Sequence, residues 1–165
     1  MESGMSSTDP KVVYLHYIQA VYNVICGIYP TSLDECVSLA ALQVQAKFGD
    51  HRADVHKPGY LSHQLKGLVP AALLPRKAPS SWESDVLARH ALLTAEARAN
   101  PQYIYTTVLK ARDYYGCSFH PVNQTFSTVL PKQLLIGVSA RGIFLLRHED
   151  KTTLAKYSLA EIYRW

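Results

Sequence analysis

Charge is scarce in this sequence. Of its 165 residues only 18% are Asp, Glu, Lys or Arg, and 17 basic against 13 acidic side chains leave a net charge of +4. So small an excess does not mark a chain that coats nucleic acid, and no nucleic-acid partner is expected. Cysteine is scarce as well. Cys26, Cys36 and Cys117 are odd in number and have apolar neighbours, which excludes a disulfide scaffold and reads as reduced core thiols of a cytoplasmic protein. No apolar run approaches the roughly 18 residues that a membrane-spanning helix needs. The first ten residues lack the apolar centre of a secretory signal, so secretion is not expected. A Gly-rich phosphate loop, a Gly-x-Ser-x-Gly elbow and a Cys-x-x-Cys pair are all missing. Neither a cofactor nor an enzymatic activity is expected.

What is present is apolar material, 48% of the chain, enough to bury a core. Its period changes once. Up to about residue 115 the spacing is helical. Leu15, Ile18, Tyr22 and Ile25 predict the apolar stripe of a first helix over 12–26, stopped by Gly27 and Tyr29-Pro30. Ser32 followed three residues later by Glu35 predicts a capping box for a second helix, with a stripe of Leu33, Cys36, Val37, Ala40, Ala41, Val44 and Phe48. Residues 49–80 carry Pro58-Gly59, Pro70, Pro75 and Pro79 between short apolar bursts and predict loops and one-turn helices. A second capping-box pattern, Ser80 with Glu83, predicts a helix to about Ala99. Asn100-Pro101 opens another, with a core face of Ile104, Val108 and Ala111. From Gly116 the period becomes two, and strands are predicted over 117–122, 133–139, 143–147 and 153–159. A fifth is predicted to begin at Ile162. Four or five antiparallel strands cannot close a barrel, so this second part is expected to be incomplete.

The seven histidines invite a metal site. His51 and His56 stand beside Asp50 and Asp54, with His63 nearby, but the Pro/Gly-bearing segment predicts solvated loop side chains instead, and no metal is expected. His90 is expected at the edge of the core. Cys117 and His120 fall on opposite faces of one strand and cannot act as a nucleophile and base. Basic residues do gather in the loop-rich stretch. His56, Lys57, Lys66, Arg76 and Lys77 are candidates for contact with anionic lipid headgroups, each cation contributing about 1 kcal/mol near an acidic leaflet.

Several segments together resemble a FERM domain: Leu15–Ala20 with Gly27–Pro30, Leu39–Gln45 with Phe48–His51, His56–Leu61, Tyr115–Phe119, and Leu134–Ser139 with Gly142-Ile143 and Ile162–Trp165. The resemblance implies an α+β chain. An all-α, acyl-CoA-binding-protein-like helical bundle (the central lobe, 12–115) is followed by a truncated antiparallel PH/PTB-like β-sheet (116–165), after a disordered segment at 1–11. It implies a non-catalytic interaction module, on the cytoplasmic face of the plasma membrane and the cytoskeleton. The implied partners are the cytoplasmic tails of membrane receptors, anionic phospholipids and, through the full-length protein, actin. Lys57 matches a position on a membrane-facing surface of the talin branch. Ile162, Tyr163, Arg164 and Trp165 would edge the receptor-tail groove. The short, uncharged segment 123–130 resembles the FERM tails of unconventional myosins, which is the favoured branch. His56–Leu61 pulls towards talin-like adhesion adaptors, the alternative, and FERM segments also accompany kinases and tyrosine phosphatases.

Overall fold

The computed structural model describes residues 9–162. Six α-helices precede a four-stranded antiparallel sheet: α1 (Pro10–Ile25), α2 (Leu33–Phe48), α3 (Leu65–Leu68), α4 (Pro79–Ala91), α5 (Ala95–Ala99), α6 (Pro101–Lys110), then β1 (Ser118–Asn123), β2 (Gln133–Ser139), β3 (Gly142–Arg147) and β4 (Thr153–Tyr157). A one-turn 3-10 helix spans Leu74–Arg76. The chain divides into two compact units between Leu109 and Lys110.

In the helical unit α1 starts earlier than its apolar period places it. Asp9 caps it by accepting the Lys11 N–H, and Pro10 supplies a preset φ at the first position. Its core stripe is also a different one. Tyr17, Ala20 and Val24 are buried, whereas Tyr14, Leu15, Ile18 and Tyr22 are exposed. A helix apolar over more than half its circumference offers two stripes, and the buried one here is the one with the small Ala20.

The Ser32 capping box is present in both directions, Ser32 Oγ with the Glu35 N–H and the Glu35 carboxylate with the Ser32 N–H. The helix it opens, α2, is the centre of the unit, with every residue from Leu39 to Gln45 buried. Cys36, Val37, Ala40 and Val44 meet Leu61, Leu65, Leu68, Val69, Trp82 and Val86 in one core.

The helix expected over 80–99 is broken. Its first piece, α4, begins at Pro79 after Ala78 and ends at Ala91, with Leu92 as its cap; Thr94 Oγ1 then accepts the Ala97 N–H and starts α5. No capping box forms at Ser80, because Glu83 is turned inward to other work. On α6 the buried residues are Tyr105, Thr106 and Leu109, and Val108 is exposed.

In the second unit the strands run in sequence order, β1-β2-β3-β4, so β1 and β4 are edges. Pro121 lies on the edge strand β1, as its missing N–H requires. Leu135 faces Leu146, and Phe144 shares their side of the sheet; Tyr114, Cys117 and Phe119 cover them. Tyr114 therefore belongs with the sheet, although it lies in the part where the period is still helical. Two ties hold its neighbours there. Arg141 Nη2 donates to the carbonyls of Arg112, Asp113 and Tyr115 at 2.7–2.9 Å. Lys156 Nζ lies 2.7 Å from Asp113 Oδ1 and holds its carboxyl below the usual carboxylate range. Ile162 lies in a turn, so no strand begins at it; Tyr163, Arg164 and Trp165 fall outside the described residues.

Candidate functional site

The candidate residues lie on the segment between α2 and α4, and two residues of α4 decide its shape. Trp82 is fully buried and its indole N–H donates to the Leu74 carbonyl at 3.1 Å. Glu83, also buried, accepts the backbone N–H of Gly59 (2.8 Å) and that of Leu61 with its two carboxylate oxygens. Lys57-Pro58-Gly59-Tyr60 forms a turn closed by the Tyr60 N–H on the Lys57 carbonyl, with Gly59 at φ +97°. Proline second and a left-handed glycine third is the arrangement of a type II turn. Lys57 is thus an exposed side chain on a backbone fixed by a turn and a buried carboxylate.

His56 is not exposed. Only 7% of its surface is accessible, and it sits against the rings of His51, Tyr60 and His90, with centroids 5.1, 4.7 and 5.2 Å away. The lipid contact expected of it is therefore corrected: a buried ring cannot reach a headgroup. His51 is partly buried in the same cluster, 5.6 Å from His90, and is not a solvated loop residue. His63, by contrast, is exposed. Among the described residues no group of three or more His, Cys, Asp or Glu side chains is arranged to hold a metal ion.

The remaining candidates separate into two kinds. Lys57, Lys66 on α3 and Arg76 in the 3-10 turn are exposed and make no ion pair among the described residues. Lys77 is half-buried. Its ammonium lies 2.7 Å from Asp85 Oδ2 and 5.1 Å from the Trp82 ring centroid, so its charge is already met within the unit. Sequence reasoning missed Glu83, since its spacing from Ser80 imitates a capping box, and missed the role of His90.

Elsewhere the helical unit offers little chemistry. An open cleft of about 590 Å³ is lined by Pro10, Val13, Gln45, Ala46 and Tyr103 among others, and collects no His, Cys or carboxylate. Burial pushes the Cys36 thiol up to about 11, so it is no nucleophile at neutral pH. No helix of the described residues is long and apolar enough to cross a membrane.

The described residues thus form a helical unit around a central helix, followed by a four-stranded antiparallel sheet. The FERM central domain family matches residues 3–120, most of the chain, and the chain belongs to that family. FERM domains are generally non-catalytic interaction modules. Over 98% of its length the chain is 29% identical to talin-B of Dictyostelium discoideum, of which it spans only 6%. The FERM domain of Drosophila Merlin superposes with a TM-score of 0.72 at 19% identity, covering 90% of this chain and 48% of that one. The C-terminal MyTH4-FERM domain of human myosin 7b, solved in complex with the harmonin-a PDZ3 domain, superposes at 0.64 and 21% identity, covering 88% and 30%. These likenesses fit the α+β architecture expected from the sequence.

Proposed function

We propose that the chain is a non-catalytic interaction segment of a longer cytoskeletal or motor protein, and that it meets anionic phospholipid headgroups through Lys57, Lys66 and Arg76. The observation that carries this reading is the exposed, unpaired ammonium of Lys57 on a turn whose backbone is fixed by Glu83. A cation held outward on a rigid turn loses little conformational freedom on meeting a phosphate. The sheet unit is the proposed contact for receptor tails, with Ile162 at the described end of the expected groove.

For the whole protein, the talin-like reading rests on the 29% identity that runs through nearly all of the chain. The myosin-tail reading rests on the short β1–β2 connection. That connection is closed by Gln124, whose side-chain amide donates to the Ser127, Leu130 and Pro131 carbonyls and leaves Phe126 and Val129 exposed. A longer gene sequence separates the two: a motor domain upstream marks the myosin reading, an actin-binding module downstream the talin one.

Three exposed cations at about 1 kcal/mol each give about 3 kcal/mol, which corresponds to binding in the millimolar range or weaker. Cosedimentation with phosphoinositide-containing vesicles tests the lipid reading. The expected result is weak binding at low salt that is lost at high salt, with none to neutral vesicles. Binding that is equal on neutral vesicles, or indifferent to salt, would refute it.

A further inference from the structure

Three imidazoles from two distant parts of the sequence meet beneath the turn that presents Lys57. His51 and His56 come from the loop after α2, and His90 comes from α4; their ring centroids are 5.1, 5.2 and 5.6 Å apart. Neighbouring groups fix the proton on His90. Gln45 gives its amide N–H groups to Asp50 Oδ1 and the Arg98 carbonyl, so its side-chain oxygen is an acceptor. His90 Nε2 lies 2.8 Å from that oxygen and 3.0 Å from the Gly49 carbonyl, and therefore carries the ring proton. This leaves His90 Nδ1 as a bare lone pair, buried and without a hydrogen-bond partner among the described residues. The His56 N–H already occupies the Arg52 carbonyl, while the Arg52 N–H points at His56 Nδ1 from 2.8 Å. His56 Nδ1 also lies 3.1 Å from the Arg52 carbonyl oxygen, so either ring nitrogen can carry the proton, and Nε2 is buried and unpartnered among the described residues. The His90 ring fits the site only when neutral.

We propose that His90, packed against the rings of His51 and His56, is a proton-sensitive latch, which holds the 50–60 loop on the helical unit while its ring is neutral and releases it when that ring is protonated. A proton on His90 Nδ1 would be a buried donor with no acceptor, beside two further imidazoles. Other groups around the cluster do not offset this. Asp50 is engaged by Gln45; Asp54, within electrostatic reach of His56, is paired outward with Arg52; Gln45 and the Gly49 carbonyl already take the His90 Nε2 proton; and Tyr60 presents its ring. On α4, the Glu83 carboxylate is engaged by the Gly59 and Leu61 N–H groups. Burial and the two neighbouring histidines hold His90 below the usual histidine value, in keeping with the geometry.

The sign follows from that direction. A histidine depressed in the closed form takes up a proton on opening, so the closed form is stable above the ordinary value of about 6.5 and loses ground as pH falls below it. With the His90 imidazole shedding its proton to close, the opening constant rises about tenfold between pH 7.5 and 5.5.

The test is amide hydrogen exchange on the whole chain at pH 7.5 and 5.5, corrected for the intrinsic pH dependence of exchange. Protection of residues 51–61 is expected to fall about tenfold at pH 5.5, while β2 and β3 are unchanged. Equal protection at the two pH values, or the same loss in the sheet as in the loop, would overturn the proposal. In His90→Gln the pH dependence of the loop is expected to shrink. Should that variant fail to fold, a nuclear magnetic resonance titration of the wild-type imidazoles decides: His90 still neutral at pH 6 supports the latch, and His90 titrating at about 6.5 refutes it. Because the readout is loop exchange, lipid binding through Lys57 and the latch can fail independently.

Discussion

The buried carboxylate of Glu83 accepts the backbone N–H of Gly59 at 2.8 Å, and through that bond α4 sets the position of a turn 24 residues earlier in the chain. A charged acceptor shared by two backbone donors is worth more than a neutral one, about 1.5–3 kcal/mol for each bond.

Glu83→Gln keeps the shape but removes the charge and turns one acceptor into a donor facing an N–H. The helical unit is expected to lose about 2–3 kcal/mol, read as a lower urea midpoint by the emission of the buried Trp82. An unchanged midpoint would mean that the turn holds itself.

The three thiols are expected to react in sequence, and not to be equally protected as their apolar neighbours suggest. Cys26, at the exposed end of α1, is open to reagent; Cys117 is half-buried and burial raises its thiol; Cys36 is buried on α2 and pushed up to about 11. With an aromatic disulfide at pH 8, one thiol should react quickly, one slowly, and one only on unfolding. Rapid modification of two or three would contradict the burial of Cys36 and Cys117.

A methyl group has no room at the β2–β3 turn. Gly142 stands at φ +131°, and a Cβ there would overlap the Tyr157 carbonyl oxygen on β4. Gly142→Ala therefore displaces β4 or strains the turn, at a cost of about 2–4 kcal/mol. Amide exchange of residues 153–157 should rise while α2 is unaffected. Full protection of β4 in the variant would show that the turn relaxes freely.

The elements were legible where one local signal decided them. The Ser32–Glu35 box placed α2, and alternation placed β2 over Gln133–Ser139, its observed extent. Reading failed where the deciding partner lay elsewhere in the chain. Asp50 to Lys57 is polar and reads as a solvated loop, yet His56 is buried because His90, on a different helix, provides the other wall. Glu83 stands three residues after a serine, as in a capping box, and only the proximity of Gly59 and Leu61 gives it another role. The α1 stripe was misplaced because that helix carries apolar residues on two faces. Of the basic candidates, Lys57 could be read as exposed from its Pro-Gly turn. The pairing of Lys77 with Asp85 was not legible, because Lys77 stands in extended backbone before α4 and no helical spacing relates the two.

Salt-sensitive cosedimentation of a charge-reversed variant tests the proposed function most directly. Lys57→Glu, Lys66→Glu and Arg76→Glu together should abolish binding to phosphoinositide-containing vesicles. The melting temperature should not move, because exposed, unpaired cations contribute little to folding. Lys77→Glu alone, which breaks the pair with Asp85, should lower stability and leave vesicle binding close to that of the wild type. Vesicle binding that survives the triple change would contradict the assignment of this surface to acidic lipids.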